Sequence, residues 1–218
     1  MGGKKGGESM NWMDMSLSMY QDALASSEPT PGGGTASAIA LGQAVGLTRM
    51  VSSLTLGNQK WESGWSAARL AEEVCAGMYE RCGQLAQMDS EAFDRVMKSF
   101  RMPKSNDDEI QSRRLEIRQS TLNAAEIPFE TAEHGMKLLG CLEDLASRGN
   151  GNAASDVGVA SLLASAAVKG ALFNVEINLQ SLPSEMGESM RLSINKIRMD
   201  CSEVSRRVMH AVHDRIQG

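Results

Sequence analysis

Apolar positions recur at helical spacing along nearly the whole chain, and no stretch alternates with a period of two long enough to read as a strand. Trp12, Met15, Met19, Tyr20, Ala23 and Leu24 predict a short first helix. Ala36, Ile39, Ala40, Ala44, Leu47, Met50, Val51 and Leu54 predict a buried helix of small residues, closed by Gly57-Asn58. A long pattern then runs from Trp61 to Phe100. Asp89-Ser90 is its expected kink, because both side chains can bond to nearby backbone. Arg101 to Lys104 stops that pattern, and Ser105 to Glu109 reads as a loop with an N-cap. The next pattern reaches Pro128, which is expected to end or kink it, and another runs from Phe129 to Arg148 before Gly149. From Val157 to Val175 the chain is apolar on every side, which predicts a fully buried helix. Pro183 ends it, and Ser184 to Ile216 reads as a final amphipathic helix.

The expected fold is therefore all-α, a single-domain helical bundle with two buried small-residue helices at its centre. Residues 1–10, rich in Gly and Lys and without periodicity, are expected to be a disordered leader to a helical domain over 11–218.

Composition narrows the function classes. Asp and Glu number 27 against 22 Lys and Arg, so no broad basic surface for nucleic acid is expected, and aromatic residues at 4% offer few stacking platforms. No uninterrupted apolar run reaches the ~18 residues of a membrane span. Cys75, Cys82, Cys141 and Cys201 form no C-x-x-C and no zinc-ligand spacing, so they read as reduced thiols of a cytoplasmic protein. No metal site is expected. His210 and His213 lack a carboxylate or thiol to complete a ligand set and read as solvated, and His134 stands alone as a surface or boundary residue.

The candidate chemistry lies where the central helices begin. Pro29-Thr30-Pro31-Gly32-Gly33-Gly34-Thr35 is a stiff entry and a bare loop opening onto a helix. Its free N–H groups suit an anion, and equally the glycines allow close helix packing. It is not a Walker A loop, since no Lys-Ser/Thr follows the glycines. The second central helix begins at Asn150-Gly151-Asn152-Ala153-Ala154-Ser155-Asp156. Should both N-termini face one cavity, it would gather Thr30, Asn152, Ser155 and Asp156 around two helix dipoles. Asp156 reads equally as a helix cap worth about 1 kcal/mol. Asp89 and Glu91 sit at the suspected kink, and Asn174, Glu176 and Asn178 interrupt an apolar helix, where they must bond across the core or line a site.

Six segments stand in the order of one family. They are the Pro29–Thr35 loop; Met50-Val51-x-x-Leu54-Thr55-x-Gly57; Asp89-x-Glu91-Ala92-Phe93; Pro103-Lys104; Gly149-Asn150 leading to Ser155-Asp156-Val157-Gly158-Val159-Ala160; and Gly170-Ala171-Leu172-x-Asn174-Val175-x-Ile177-Asn178-Leu179. Over residues 12–215 the chain resembles the C-terminal family of formiminotransferase-cyclodeaminases, which holds formiminotetrahydrofolate cyclodeaminases and free-standing methenyltetrahydrofolate cyclohydrolases. Glu28 and Trp61 depart from its pattern without removing a candidate catalytic group.

The resemblance implies an all-helical homodimer with a folate site in a groove. A tetrahydrofolate derivative is the substrate, no cofactor is needed, and neither nucleic acid nor membrane is a partner. It turns Thr30, Gly32, Gly33, Gly34, Asn152 and Ser155 into expected site-lining residues, and Asp156 and Asp89 into expected catalytic carboxylates, with Glu91 in reserve. Lys104, Lys60 or Arg49 would meet the glutamate tail of folate. The chain is too short to hold a formiminotransferase domain as well, which tips the expectation from cyclodeaminase to cyclohydrolase.

Overall fold

A computed structural model describes residues 11–217; the expected leader at 1–10 lies outside them. The described residues are helical, with no strand. Trp12–Asp14 is a 3-10 turn, and Ser16, whose Oγ accepts from the Met19 N–H, starts α1 (Leu17–Leu24). Next come α2 (Gly33–Thr55), a 3-10 turn over Gln59–Gly64, α3 (Trp65–Cys75) and α4 (Met78–Phe100). The chain ends with α5 (Asp107–Arg148), a 3-10 turn over Gly151–Ala153, α6 (Ala154–Gln180) and α7 (Glu188–Gln217).

Two breaks differ from the expectation. The pattern over 61–100 divides at Ala76-Gly77, where Gly77 takes a φ of +71° that suits glycine, and α4 runs unbroken through Asp89-Ser90. Those two side chains reach Thr35 on α2. Pro128 does not end its helix: α5 continues through it for 42 residues, about 63 Å at 1.5 Å per residue. Proline removes the N–H that would bond the carbonyl four residues earlier, here that of Ala124. Asn178 Nδ2 on α6 donates to that carbonyl at 2.8 Å. A tertiary contact thus satisfies the group that the proline orphaned. At the start of α5, Asn106 Oδ1 accepts from the Glu109 N–H while Glu109 Oε2 accepts from the Ser105 N–H, a reciprocal cap.

The core lies where α2 and α6 pack together and against α4, α5 and α7, with Leu41, Val45, Leu138, Leu142, Val168 and Leu172 fully buried. Small residues set the spacing: a Cβ on Gly170 would lie 2.5 Å from Ser37 Oγ. The two central helices are antiparallel. Gly33 at the start of α2 faces Asn174 near the end of α6. At the other end, Asn150 donates from its backbone N–H to Thr55 Oγ1 at 3.0 Å and from Nδ2 to the Leu54 carbonyl at 3.1 Å.

The four cysteines are buried and free; burial pushes the Cys75 thiol up to about 11 and those of Cys82 and Cys141 up to about 12, so these three are poor nucleophiles. Helix α6 is not buried all round: Val159, Leu162, Phe173 and Ile177 are 46–67% exposed along one stripe. Gly151–Gln180 is long and apolar enough to cross a membrane by length and composition, although no uninterrupted run showed it. Its most apolar window is 56% buried, packed against neighbouring helices of the bundle.

Candidate functional site

The Pro29–Gly32 loop, the first turn of α2, one stripe of α4 and the last turns of α6 enclose a cleft of about 370 Å³. Asp89, Phe93 and Val96 line it from α4 at i, i+4 and i+7, which puts them on one face of the helix. Thr30, Gly32, Gly33 and Gly34 form the loop side, and Asn174, Ile177 and Asn178 close it from α6. The Thr30–Pro31 peptide is cis.

Gly32 has no side chain with which to cap α2, so Asp89 acts as the cap from another helix. Asp89 Oδ2 accepts from Thr35 Oγ1 at 3.0 Å, and the Thr35 backbone N–H adds a second bond. A Cβ on Gly34 would stand 2.6 Å from Asp89 Cγ, so the loop must be glycine for the carboxylate to sit there. Burial raises the Asp89 pKa, and the two Thr35 bonds oppose that rise only in part. The result is a desolvated carboxylate whose proton affinity lies above that of an ordinary Asp, next to apolar walls made by Phe93, Val96 and Ile177. Such a group is a better proton acceptor than an exposed Asp.

Asn174 Nδ2 donates to the Gly170 carbonyl at 2.9 Å, and Asn178 Nδ2 is held by Ala124, so both amides present Oδ1 as an acceptor. Both line this cleft; Asn178 bonds across to α5, whereas Asn174 bonds within its own helix. Glu176 leaves it, pairing with Arg198 at 2.7 Å. Among the described residues, no group of three or more His, Cys, Asp or Glu is arranged to hold a metal.

The structure brings Asp89, Thr30, Gly32, Gly33 and Gly34 together, and it separates them from the other expected site residues. Asp156 lies in the first turn of α6, 18 residues and about 27 Å along the helix from Asn174. Asn152 and Ser155 line a different hollow, with Trp61 and Arg215. The two helix N-termini therefore do not share a cavity within this chain, because neighbouring antiparallel helices begin at opposite ends. Lys104 is exposed in the α4–α5 loop and is not among the residues lining the cleft. Lys60 stacks over Trp61 at 4.6 Å, and Glu91 accepts from Gln87 Nε2 at 3.1 Å. Of the histidines, His210 and His213 are exposed, while His134 meets Glu130, whose carboxylate Arg81 also grips.

Thr35, Val96 and Ser90 were missed as functional positions. The i, i+4, i+7 stripe from Asp89 could have found Val96, whereas Thr35 and Ser90 show their role only through contacts across the fold.

Comparison with known proteins agrees with this architecture. Residues 16–195 match the family model described as formiminotransferase-cyclodeaminase. A methenyltetrahydrofolate cyclohydrolase from Methylorubrum extorquens is 30% identical over 201 residues, covering 92% of this chain and 97% of that protein. The formimidoyltransferase-cyclodeaminase of Gallus gallus is 31% identical over 172 residues, 78% of this chain but 31% of that longer protein. The crystal structure of a formiminotetrahydrofolate cyclodeaminase from Thermotoga maritima superposes with a TM-score of 0.81 at 27% identity, covering 93% of this chain and 98% of the other. With the matched segment spanning most of the helical bundle and the cleft within it, the chain belongs to the formiminotransferase-cyclodeaminase family.

Proposed function

We propose that this protein hydrolyses 5,10-methenyltetrahydrofolate to 10-formyltetrahydrofolate. The observation that carries the reading is a lone desolvated carboxylate, Asp89, at the N-terminus of α2 in an apolar-walled cleft. The similarity to a cyclohydrolase along nearly its full length supports the same choice. Phe93, Val96 and Ile177 suit the flat pterin ring, and the Asn174 and Asn178 carbonyls suit its N–H donors.

In this reaction water adds to the cationic methenyl carbon. Asp89 takes the proton from the attacking water, and its negative charge also favours the amidinium-like cation. The tetrahedral adduct then breaks its bond to N5 as N5 gains a proton and the adduct's hydroxyl loses one, leaving the formyl group on N10. The net change consumes one water and releases one proton. Lys104 is the proposed partner of the glutamate tail.

A homodimer is part of the same proposal. The exposed stripe Val159, Leu162, Ala166, Phe173 and Ile177 is apolar and runs most of the length of α6, as a self-complementary two-fold interface would require. Asp156 and Glu176 stand ten residues either side of Ala166. A two-fold axis crossing α6 there would lay the partner subunit's Asp156 against the end of the helix that carries Asn174 and Asn178. The site would then combine the glycine loop and Asp89 of one copy with Asn152, Ser155 and Asp156 of the other.

The test is the near-ultraviolet absorbance of 5,10-methenyltetrahydrofolate against a buffer blank. An enzyme-dependent fall faster than the blank is expected. The second reading is formiminotetrahydrofolate cyclodeaminase, favoured by the Thermotoga maritima structure. It predicts no acceleration in that assay but rising methenyl absorbance, with ammonia release, from 5-formiminotetrahydrofolate. Folate binding without turnover of either substrate would refute both readings and favour a non-catalytic binding protein.

A further inference from the structure

We propose that Trp12 is a positioning residue for Asp89, acting through Ser90 and Thr35 along a one-way relay of hydrogen bonds that ends on the carboxylate. The proposal rests on the reading of Asp89 as the proton acceptor.

The relay has three links. Trp12 Nε1 donates to Ser90 Oγ at 2.9 Å, Ser90 Oγ and Thr35 Oγ1 are 3.0 Å apart, and Thr35 Oγ1 donates to Asp89 Oδ2 at 3.0 Å. Its direction follows from the two ends. An indole N–H can only donate, and an ionised carboxylate can only accept. Each hydroxyl between them has one proton. Thr35 gives its proton to Asp89, so Ser90 supplies the proton between the two hydroxyls, and Trp12 supplies the one that Ser90 accepts. Ser90 and Thr35 are 5% and 0% exposed, so water does not readily substitute for a missing member.

Protonating Asp89 on Oδ2 turns the last acceptor into a donor. Two O–H groups then meet head to head, and Thr35 must release its bond. With Trp12 in place the relay therefore favours the ionised carboxylate, against the burial that disfavours it. Trp12 is held for this task by an edge contact with Tyr20, ring centroids 6.4 Å apart, and by its backbone N–H against Gln87 Oε1 at 3.4 Å. It lies 77 positions before Asp89, on a turn that contributes nothing to the lining of the catalytic cleft.

Among the described residues, no other charged side chain lines the cleft beside Asp89. Asp14 and Glu28 flank α1, Glu91, Asp94 and Arg95 lie on α4, Glu126 on α5, and Lys169 and Glu176 on α6, and none of these lines the cleft. Among the described residues, Asp89 is the sole titratable group in that lining.

The experiment is a carboxyl carbon NMR titration of the full-length protein, with the Asp89 signal assigned by its loss in Asp89→Asn. Trp12→Phe keeps the ring and removes the donor, and Ser90→Ala cuts the relay one link later with a smaller change in volume. The Asp89 midpoint is expected to rise by about a third of a unit to one unit in each variant. The double variant should match Ser90→Ala alone, because the two act in series. An unchanged midpoint in Trp12→Phe, whatever Ser90→Ala does, or shifts that simply add, overturns the proposal. If Trp12→Phe does not fold, Trp12→Leu, which also removes the indole donor, is titrated in its place and read in the same way. The titration needs no substrate, so it reads the relay even if the proposed hydrolysis fails. In an active enzyme the acidic limb of kcat/KM should move to higher pH by the same amount, with a smaller change in kcat on the plateau.

Discussion

Asn178 offers the sharpest stability test, because the structure says why an amide is needed there. Pro128 leaves the Ala124 carbonyl without its helical donor, and Asn178 Nδ2 replaces that donor at 2.8 Å from a neighbouring helix. Ala124 is 8% exposed although it lines the cleft, so water has limited access to the orphaned carbonyl. Asn178→Ala should therefore cost about 1–3 kcal/mol, the price of leaving a buried acceptor unmade. For a domain of this size that is a fall in Tm of roughly 2–12 °C. Replacing Pro128 with Ala restores an N–H four residues after Ala124. In that background the same Asn178→Ala change should cost less than about 1 kcal/mol, because the helix now satisfies the carbonyl itself. Urea unfolding of wild type, both single variants and the double variant closes the cycle. Equal costs of Asn178→Ala with and without Pro128 would refute the reasoning, since Asn178 would then be stabilising through some other contact.

Gly34→Ala should fold but lose most turnover, because its Cβ would stand 2.6 Å from Asp89 Cγ and drive the carboxylate from Thr35; unaltered kcat would remove that geometry from the mechanism. Asp89→Asn should lower turnover by about two to four orders of magnitude. Burial raises the Asp89 pKa in the folded protein, so the ionised group weakens folding above that pKa and ceases to do so below its unfolded value of about 3.9. The asparagine variant should accordingly show a higher Tm near neutral pH, with the gain shrinking towards pH 3; a gain independent of pH would contradict the burial argument. Leu162→Glu, on the exposed α6 stripe, should give monomers by light scattering, and a dimer of unchanged affinity would move the interface elsewhere. Asp89→Asn and Asp156→Asn proteins should each be nearly inactive, yet mixed subunits should recover about a quarter of wild-type activity if each site takes Asp89 from one copy and Asp156 from the other. No recovery in verified mixed dimers would count against the shared site.

Much of the fold was legible because it rests on local patterns. The 3.6-residue periodicity and the stops at Pro103, Gly149 and Pro183 mark where helices run and end, since these are properties of neighbouring residues. The same is true of the Asn106 cap and of the two small-residue helices, whose composition alone shows that they pack closely. The glycine loop and Asp89 were legible through their motif, and they do meet in one cleft.

What remained hidden depends on groups brought together across the fold. The sequence suggests that Pro128 breaks a helix, because proline removes a donor; only the position of Asn178, fifty residues later, decides that the helix continues. Asp89-Ser90 suggests a kink for as long as their partners are sought in the adjacent backbone, and Thr35 removes the need for one. The Asp156 loop has the right residues for a site, but the antiparallel course of α2 and α6 puts the glycine loop beside Asn174, about 27 Å along α6 from Asp156. The apolar composition of α6 predicts a helix buried on every side, because apolar side chains favour removal from water, whereas tertiary packing decided which faces this chain covers and which stripe stays exposed.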